Sequence, residues 1–190
     1  MFSSTFHLPL KPTSQRPLLS SQIHVLSVIM SPQTKTVPAS AALPLVYRLV
    51  LTILEPFLAA GGAVMVFRTP QDYLTTITRH GDTFEPNSTF LYTAMGGSWL
   101  YFAFIEAVVL RLFDDLRLWR VLCAGMLLSD AAFCHSTAQA VGGWAAWADT
   151  SAWTKDDHLV FWTTAPMVLV RVLIVLGIGV KVAARDRKGE

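Results

Sequence analysis

Four ionisable side chains stand inside long apolar runs of the sequence: Glu55, Glu106, Asp130 and Arg171. A charge at the centre of a membrane costs about 2.5–3.5 kcal/mol on insertion scales, so we expect these groups to meet one another rather than face lipid. Three carboxylates then confront one obligate cation, so at least one acid is expected to hold a proton. A neutral acid beside an ionised one separates acid and base roles, which indicates acid–base catalysis by these residues.

Aromatic side chains close to Glu106 would suit a substrate with cationic character, because aromatic faces attract cations. His135 follows Asp130 by five residues, some 140° around a helix, so the two cannot both point at one centre. The histidines lack the spacing of metal ligands, and we predict neither a metal site nor a cofactor. The predicted substrate-binding residues are Trp99, Tyr101, Phe102 and His135.

The elements that carry these residues are predicted to be transmembrane helices. The chain has 190 residues, of which 53% are hydrophobic and 15% are charged, whereas soluble domains have about 25% charged residues. Windows 46–67, 90–113, 118–144 and 159–180 each exceed the roughly 20 residues that cross a hydrocarbon core. We therefore predict an all-α polytopic membrane protein, a bundle of four transmembrane helices. Gly-Gly pairs in these windows are expected to serve helix packing.

The charges outside the windows predict an orientation. Basic residues dominate before the first window, between the second and third, and after the fourth, so the positive-inside rule places both termini in the cytosol. The first window can act as an uncleaved signal anchor, which favours the endoplasmic reticulum. The sequon at Asn87 lies in a loop predicted to be lumenal. In the loop on the other side, we expect Asp114 or Asp115 to pair with Arg117 or Arg120.

Three parts are expected along the chain. Residues 1–42 are basic and rich in Ser, Thr and Pro, and we predict a disordered leader, with Met30 as a candidate true start. A mitochondrial transit peptide is the alternative. Residues 43–184 would form the membrane domain, and residues 185–190 a basic cytosolic tail.

Several stretches resemble a known family: "YRLVLTILEPFLAAGGA", "FAFIEAVVLRLFDDLRLWRVL", "LLSDAAFCHS" and the late Arg171. The pattern, over about residues 43–180, is similar to a family of small four-span membrane proteins of fungi that is known as a domain of unknown function. The resemblance implies the fold and the membrane location but no activity. Its occurrence in fungal metabolic gene clusters favours lipophilic natural-product chemistry.

These observations support three hypotheses. The first is an intramembrane acid–base catalyst, an isomerase or cyclase, that acts on a lipophilic isoprenoid or polyketide intermediate of fungal secondary metabolism. The second is a non-enzymatic scaffold or partner subunit, in which the charges only fix helix packing. The third is a proton-coupled transporter. The expected partners are a lipophilic small molecule and membrane lipids, with homo-oligomerisation left open. A net charge of +2 gives no reason to expect a nucleic-acid partner, and we find no nucleotide-binding or P-loop pattern.

Overall fold

A computed structural model describes residues 37–181, which fold as helices without a strand. The predictions for residues 1–36, including Met30, and for the tail at 185–190 fall outside this part of the chain. In chain order the helices are α1 (Ala39–Ala42), α2 (Leu45–Arg68), α3 (Pro70–Ile77), α4 (Pro86–Leu112), α5 (Leu116–Ala140), α6 (Trp144–Ala148) and α7 (Lys155–Leu176). The prediction of an all-α fold is confirmed.

Four of these helices, α2, α4, α5 and α7, are long and apolar enough to cross a membrane. They contain 22 to 27 residues, or about 33–40 Å at 1.5 Å per residue. Only 22% of the most apolar window of each helix is buried inside the protein. The remaining apolar surface needs lipid around it, so the chain is a multi-pass membrane protein. The predicted windows correspond one to one with these helices.

The four long helices associate as two pairs. Helix α2 packs along α4, and α5 packs along α7. Gly96 permits the first pairing, because a Cβ atom there would lie 2.6 Å from the Phe67 ring and 2.8 Å from Val66. The prediction that glycines serve packing holds for this position, whereas nothing lies within 4 Å of a Cβ placed on Gly97.

The tightly packed core lies at one end of the bundle, where α2 begins, α4 ends, α5 begins and α7 ends. We call it the basic end, because it carries Arg48, Arg111, Arg117 and Arg120 at the ends of α2, α4 and α5. Its fully buried side chains include Leu51, Leu110, Cys123 and Ile174. This core joins the two helix pairs.

The N-terminal helix α1 is fastened to the basic end. Ser40 donates from its backbone N to Asp114 Oδ1 at 2.6 Å and from its hydroxyl to Asp114 Oδ2 at 2.5 Å. Lys181 N donates to the carbonyl of Ala42 at 2.8 Å, and Leu116 N to that of Val37 at 3.0 Å. Helix α1, which lies inside the predicted leader at 1–42, is thus attached to the bundle by these hydrogen bonds.

In the loop between α4 and α5, hydrogen bonds of Asp114 and Asp115 take the place of the expected ion pair. Asp114 accepts from Ser40 instead. Asp115 accepts from the backbone N–H of Arg117 at 2.8 Å and so caps the first turn of α5. An N-terminal carboxylate satisfies an N–H that the helix leaves without a partner, which explains why this arrangement is preferred.

At the other end of the bundle, hydrogen bonds order the connection into α7. Thr154 and Asp157 form a capping box at the start of α7. Arg79, which follows α3, donates from Nε to Asp157 Oδ2 at 2.9 Å. This ion pair joins the segment after α3 to the start of α7, at the end of the bundle opposite the basic end.

Candidate functional site

Arg171 lies at the centre of a cluster of three acids. Its Nη1 donates to Asp130 Oδ2 at 2.5 Å, and its Nη2 donates to Glu106 Oε1 at 2.7 Å and also to Glu55 Oε1. Each of the four side chains comes from a different long helix: Glu55 from α2, Glu106 from α4, Asp130 from α5 and Arg171 from α7. The predicted convergence is therefore present, and we call these four residues the Arg171 cluster.

The cluster holds more carboxyl groups than cations. Glu106 is 0% exposed and Arg171 2%, whereas Glu55 and Asp130 are 13% and 15% exposed. Arg171 thus faces three carboxyl groups from three other helices. Carboxylates that share one cation repel one another, which favours a proton on one of them. The arrangement can thus hold a transferable proton.

Some polar atoms of the cluster remain without partners. Within residues 37–181, Arg171 Nε and the Oε2 atoms of Glu55 and Glu106 are buried and have no hydrogen bond. A buried polar atom without a partner costs about 1–3 kcal/mol. The cluster is therefore not fully satisfied by its own side chains. The same part of the chain contains no group of three or more His, Cys, Asp or Glu that could hold a metal ion.

Both glutamates stand at distortions of their helices. Helix α2 adopts a π-helical turn at Val50–Leu54, directly before Glu55, and α4 adopts one at Ile105–Val109, which includes Glu106. A π turn inserts an extra residue and so changes the face that later side chains present. Such turns are frequent at functional sites. Here they bring the two acids to the same guanidinium.

Pro56 contributes to the distortion of α2. Proline has no N–H, so the carbonyl of Thr52, four residues earlier, loses its usual helical donor. Arg111 of α4 replaces it, because its Nη2 donates to Thr52 O at 2.5 Å. In lipid a free carbonyl would be costly, and the side chain from the neighbouring helix removes that cost. Pro56 is the sequence signal that could have directed attention to Arg111.

A cavity of about 390 Å³ adjoins the cluster. Glu55, Asp130 and Arg171 line it, whereas Glu106 does not. Most of its remaining lining is apolar and comes from α2, α4, α5 and α7, with Tyr73 and Thr76 contributed by α3. The volume falls within the range of about 300–1,000 Å³ that is typical of small-molecule sites.

The cavity opens towards the lipid-facing surface. Phe57 of α2 and Leu159 of α7 belong to its lining and are 77% and 58% exposed. Both are large apolar side chains on helices that face lipid. The lining of the cavity therefore extends to the apolar outer surface of α2 and α7.

Three aromatic side chains form part of the cavity wall: Tyr73, Trp99 and Phe102. Tyr73 meets Trp99 edge-on, with ring centroids 5.5 Å apart, and Arg171 Cζ lies 5.8 Å from the centroid of Phe102. Gly62 leaves space for Trp99, because a Cβ there would be 2.9 Å from the indole ring. Burial raises the pKa of Tyr73 to about 12, so its phenol stays protonated at neutral pH.

Two of the four predicted substrate-binding residues line the cavity and two do not. Trp99 and Phe102 belong to its wall. Tyr101 is 63% exposed, and His135 is exposed with its ring 6.0 Å from that of Trp144. Tyr101 is placed on the outer face because a helix turns about 100° per residue, so neighbours of Phe102 point elsewhere.

Sequence reasoning missed several lining residues. Tyr73 and Thr76 lie on α3, a short helix outside the four apolar windows, so nothing in the window pattern indicated them. Phe133, three residues after Asp130 on α5, could have been found from helical spacing, which places positions three apart on one face.

Residues 40–181 match a protein family described as Domain of unknown function (DUF7704). The chain belongs to this family. No curated protein and no solved structure matches this chain. The DUF7704 match includes the whole Arg171 cluster and its cavity, and its limits agree with the resemblance over about residues 43–180. The DUF7704 description names no activity, so the function must be argued from the site itself.

Proposed function

We propose that this protein is a membrane-embedded acid–base catalyst, an isomerase or cyclase. Its substrate would be a lipophilic isoprenoid or polyketide intermediate of secondary metabolism. The observation that carries the proposal is the contact between the cavity and two acids of the Arg171 cluster, Glu55 and Asp130. An apolar pocket with a few convergent ionisable groups is the usual form of an active site.

The roles of the three acids follow from their exposure to the cavity. Glu55 and Asp130 can touch a bound molecule, so one would donate a proton to an alkene or epoxide and the other would accept one afterwards. Glu106 is fully buried outside the lining, so it would act as a positioning residue through the hydrogen bond that it accepts from Arg171. Arg171 would hold the accepting carboxylate ionised.

The chemistry balances without an external reagent. The donor's O–H bond breaks as a C–H bond forms on an alkene carbon, and the adjacent carbon becomes a cation. The accepting carboxylate removes a proton from a neighbouring carbon, and that C–H electron pair forms the new double bond. The proton would then return from the accepting to the donating carboxyl group, which restores both groups for the next turnover. The rings of Trp99 and Phe102, both in the cavity wall, would stabilise the cation.

The test uses the organism that carries the gene. Deletion of the gene should lead to the accumulation of a lipophilic precursor, visible when extracts are profiled by mass spectrometry. Re-expression of Glu55→Gln or Asp130→Asn should lower product formation by about 10²–10⁴-fold, as expected for loss of a general acid or base. Glu85→Gln is the matched control, because Glu85 is an exposed carboxylate outside the cavity. Full product formation by both cavity variants at normal protein level would refute the proposal.

A non-enzymatic scaffold is the second candidate. The observation in its favour is that one guanidinium binds acids from three other helices, which fits a packing device. In that case, Glu55→Gln and Asp130→Asn would reduce protein abundance or alter its oligomers, and no stable inactive protein would be obtained. Quantitative immunoblotting beside the metabolite profile distinguishes the two functions.

We also propose that the protein resides in the endoplasmic reticulum with its basic end in the cytosol. The arginines at that end support this orientation through the positive-inside rule. A sequon inserted between α3 and α4 should be glycosylated, and one inserted between α4 and α5 should not. The reverse pattern would invert the orientation.

A further inference from the structure

A second cavity, of about 260 Å³, lies at the basic end and is separate in its lining from the Arg171 cluster. We call it the basic-end cavity. It lies among α1, the start of α2, the end of α4 and the start of α5. Its lining consists of Ser40, Arg48, Thr52, Leu110, Arg111, Asp114 and Trp119.

Two arginines in this lining offer donors that the protein uses only in part. Arg111 donates from Nη2 to the carbonyl of Thr52, and no other hydrogen bond of its guanidinium is seen among residues 37–181. Arg48 Nε is buried and has no hydrogen-bond partner in the same part of the chain. A buried N–H without an acceptor is costly, so Arg48 Nε is a donor that an acceptor in the cavity could satisfy.

The carboxylate in the lining does not supply that acceptor. Asp114 accepts from the backbone N–H and the hydroxyl of Ser40, and no hydrogen bond from Arg48 or Arg111 to it is seen within residues 37–181. Asp114 balances one of the two arginine charges, so the lining keeps a formal charge of +1. The indole N–H of Trp119 is also engaged, since it donates to Phe113 O at 3.2 Å. The cavity therefore offers positive charge and N–H donors to a ligand.

The position of the cavity matches the level of lipid headgroups. Arg48 is the fourth residue of α2, and Arg111 is the last but one of α4, so both stand where a span ends. Arginine suits phosphate because its planar fork can present two parallel N–H donors to the oxygens. Basic pockets between transmembrane helices at the membrane surface are a known means of holding phosphorylated headgroups.

We propose that the basic-end cavity binds one phosphate group between Arg48 and Arg111. The group would come from the headgroup of an anionic phospholipid or from free phosphate. The proposal is independent of catalysis in the larger cavity, because the two linings share no residue.

The experiment measures binding to the purified full-length protein in neutral detergent. Three probes are titrated separately: phosphatidic acid, diacylglycerol with the same acyl chains but no phosphate, and inorganic phosphate. Binding is followed as the rise in thermal unfolding temperature and by native mass spectrometry for the two lipids. We expect phosphatidic acid or inorganic phosphate to bind at one site per chain, and diacylglycerol not to reproduce this.

Variants then locate the site. Arg48→Gln should weaken phosphate or phosphatidic acid binding by roughly tenfold or more, the cost of losing a charged hydrogen bond. Arg68→Gln is the matched control, because Arg68 is an exposed arginine at the opposite end of the same helix. Should Arg48→Gln not fold, Arg48→Lys keeps the charge without the fork and should still bind more weakly than Arg68→Gln.

The outcomes divide clearly. Binding of phosphatidic acid alone assigns the headgroup as the source, and binding of inorganic phosphate assigns a soluble phosphate, with the site supported in both cases. Equal binding by the wild type, the Arg48 variants and Arg68→Gln would overturn the proposal. So would a response to diacylglycerol as large as that to phosphatidic acid in the absence of any response to phosphate.

Discussion

Replacement of Arg171 tests how strongly the cluster depends on its one cation. Arg171→Met keeps a long side chain but removes the partner of Glu55, Glu106 and Asp130. Breaking a buried ion pair by removing one partner costs about 3–5 kcal/mol, because the other charge stays buried without compensation. We expect this variant to lose 3–5 kcal/mol of unfolding free energy. Leu169→Met, on the same helix but 57% exposed, is the control and should change little.

The assay is equilibrium unfolding of the purified protein in mixed micelles, followed by the fluorescence of its six tryptophans. A companion variant neutralises the whole cluster by combining Arg171→Met with Glu55→Gln, Glu106→Gln and Asp130→Asn. It should recover much of the loss, because replacing a buried ionic group entirely is often close to neutral. If the unfolding free energies of Arg171→Met and Leu169→Met differ by less than about 1 kcal/mol, the cluster is solvated and the expected cost of an uncompensated buried charge is refuted.

Two further predictions concern packing and pH. Gly62→Ala should lower the unfolding free energy by about 1–3 kcal/mol, because its Cβ would stand 2.9 Å from Trp99. Gly61→Ala, with nothing within 4 Å, should be harmless in the same unfolding assay. Hydrogen bonds from Ser40 lower the pKa of Asp114 below its usual 3.8, so its stabilising effect is present above that pH and is lost as the pH falls through the folded-state pKa. The thermal unfolding temperature of Asp114→Asn should therefore depend less on pH below about 4, and an unchanged profile would exclude this role.

The membrane fold was predictable because its signals are strong. Four apolar windows of this length are not expected in a soluble protein. A lone charge in lipid is costly enough to bring Glu55, Glu106, Asp130 and Arg171 together. The contacts of Arg171 with all three acids confirm that reasoning. The attachment of α1 was harder to predict, because hydrogen bonds to Asp114 and to the end of the bundle hold this helix, and such bonds leave no apolar pattern in the sequence.

The distribution of roles within the cluster could not be read from the sequence. Glu55 and Glu106 look alike, each an acid in an apolar helix, yet one lines the cavity and the other is sealed from it. This difference in position goes with the π turns at Val50–Leu54 and Ile105–Val109, which change the side of each helix on which the following side chains lie. Regular helical spacing assumes no such turns. It was therefore a guide to which residues converge but not to which ones reach the cavity.

The energetics of the cluster favour a functional role over packing alone. Buried ion groups are often no more stabilising than apolar residues of the same volume, so packing by itself gives little reason to keep three acids and an arginine. A cluster that served only packing would also gain from contact on all sides. Here the helices instead leave about 390 Å³ against Glu55, Asp130 and Arg171. Ionisable groups that line a volume of this size are placed to contact a bound molecule, which packing alone does not require.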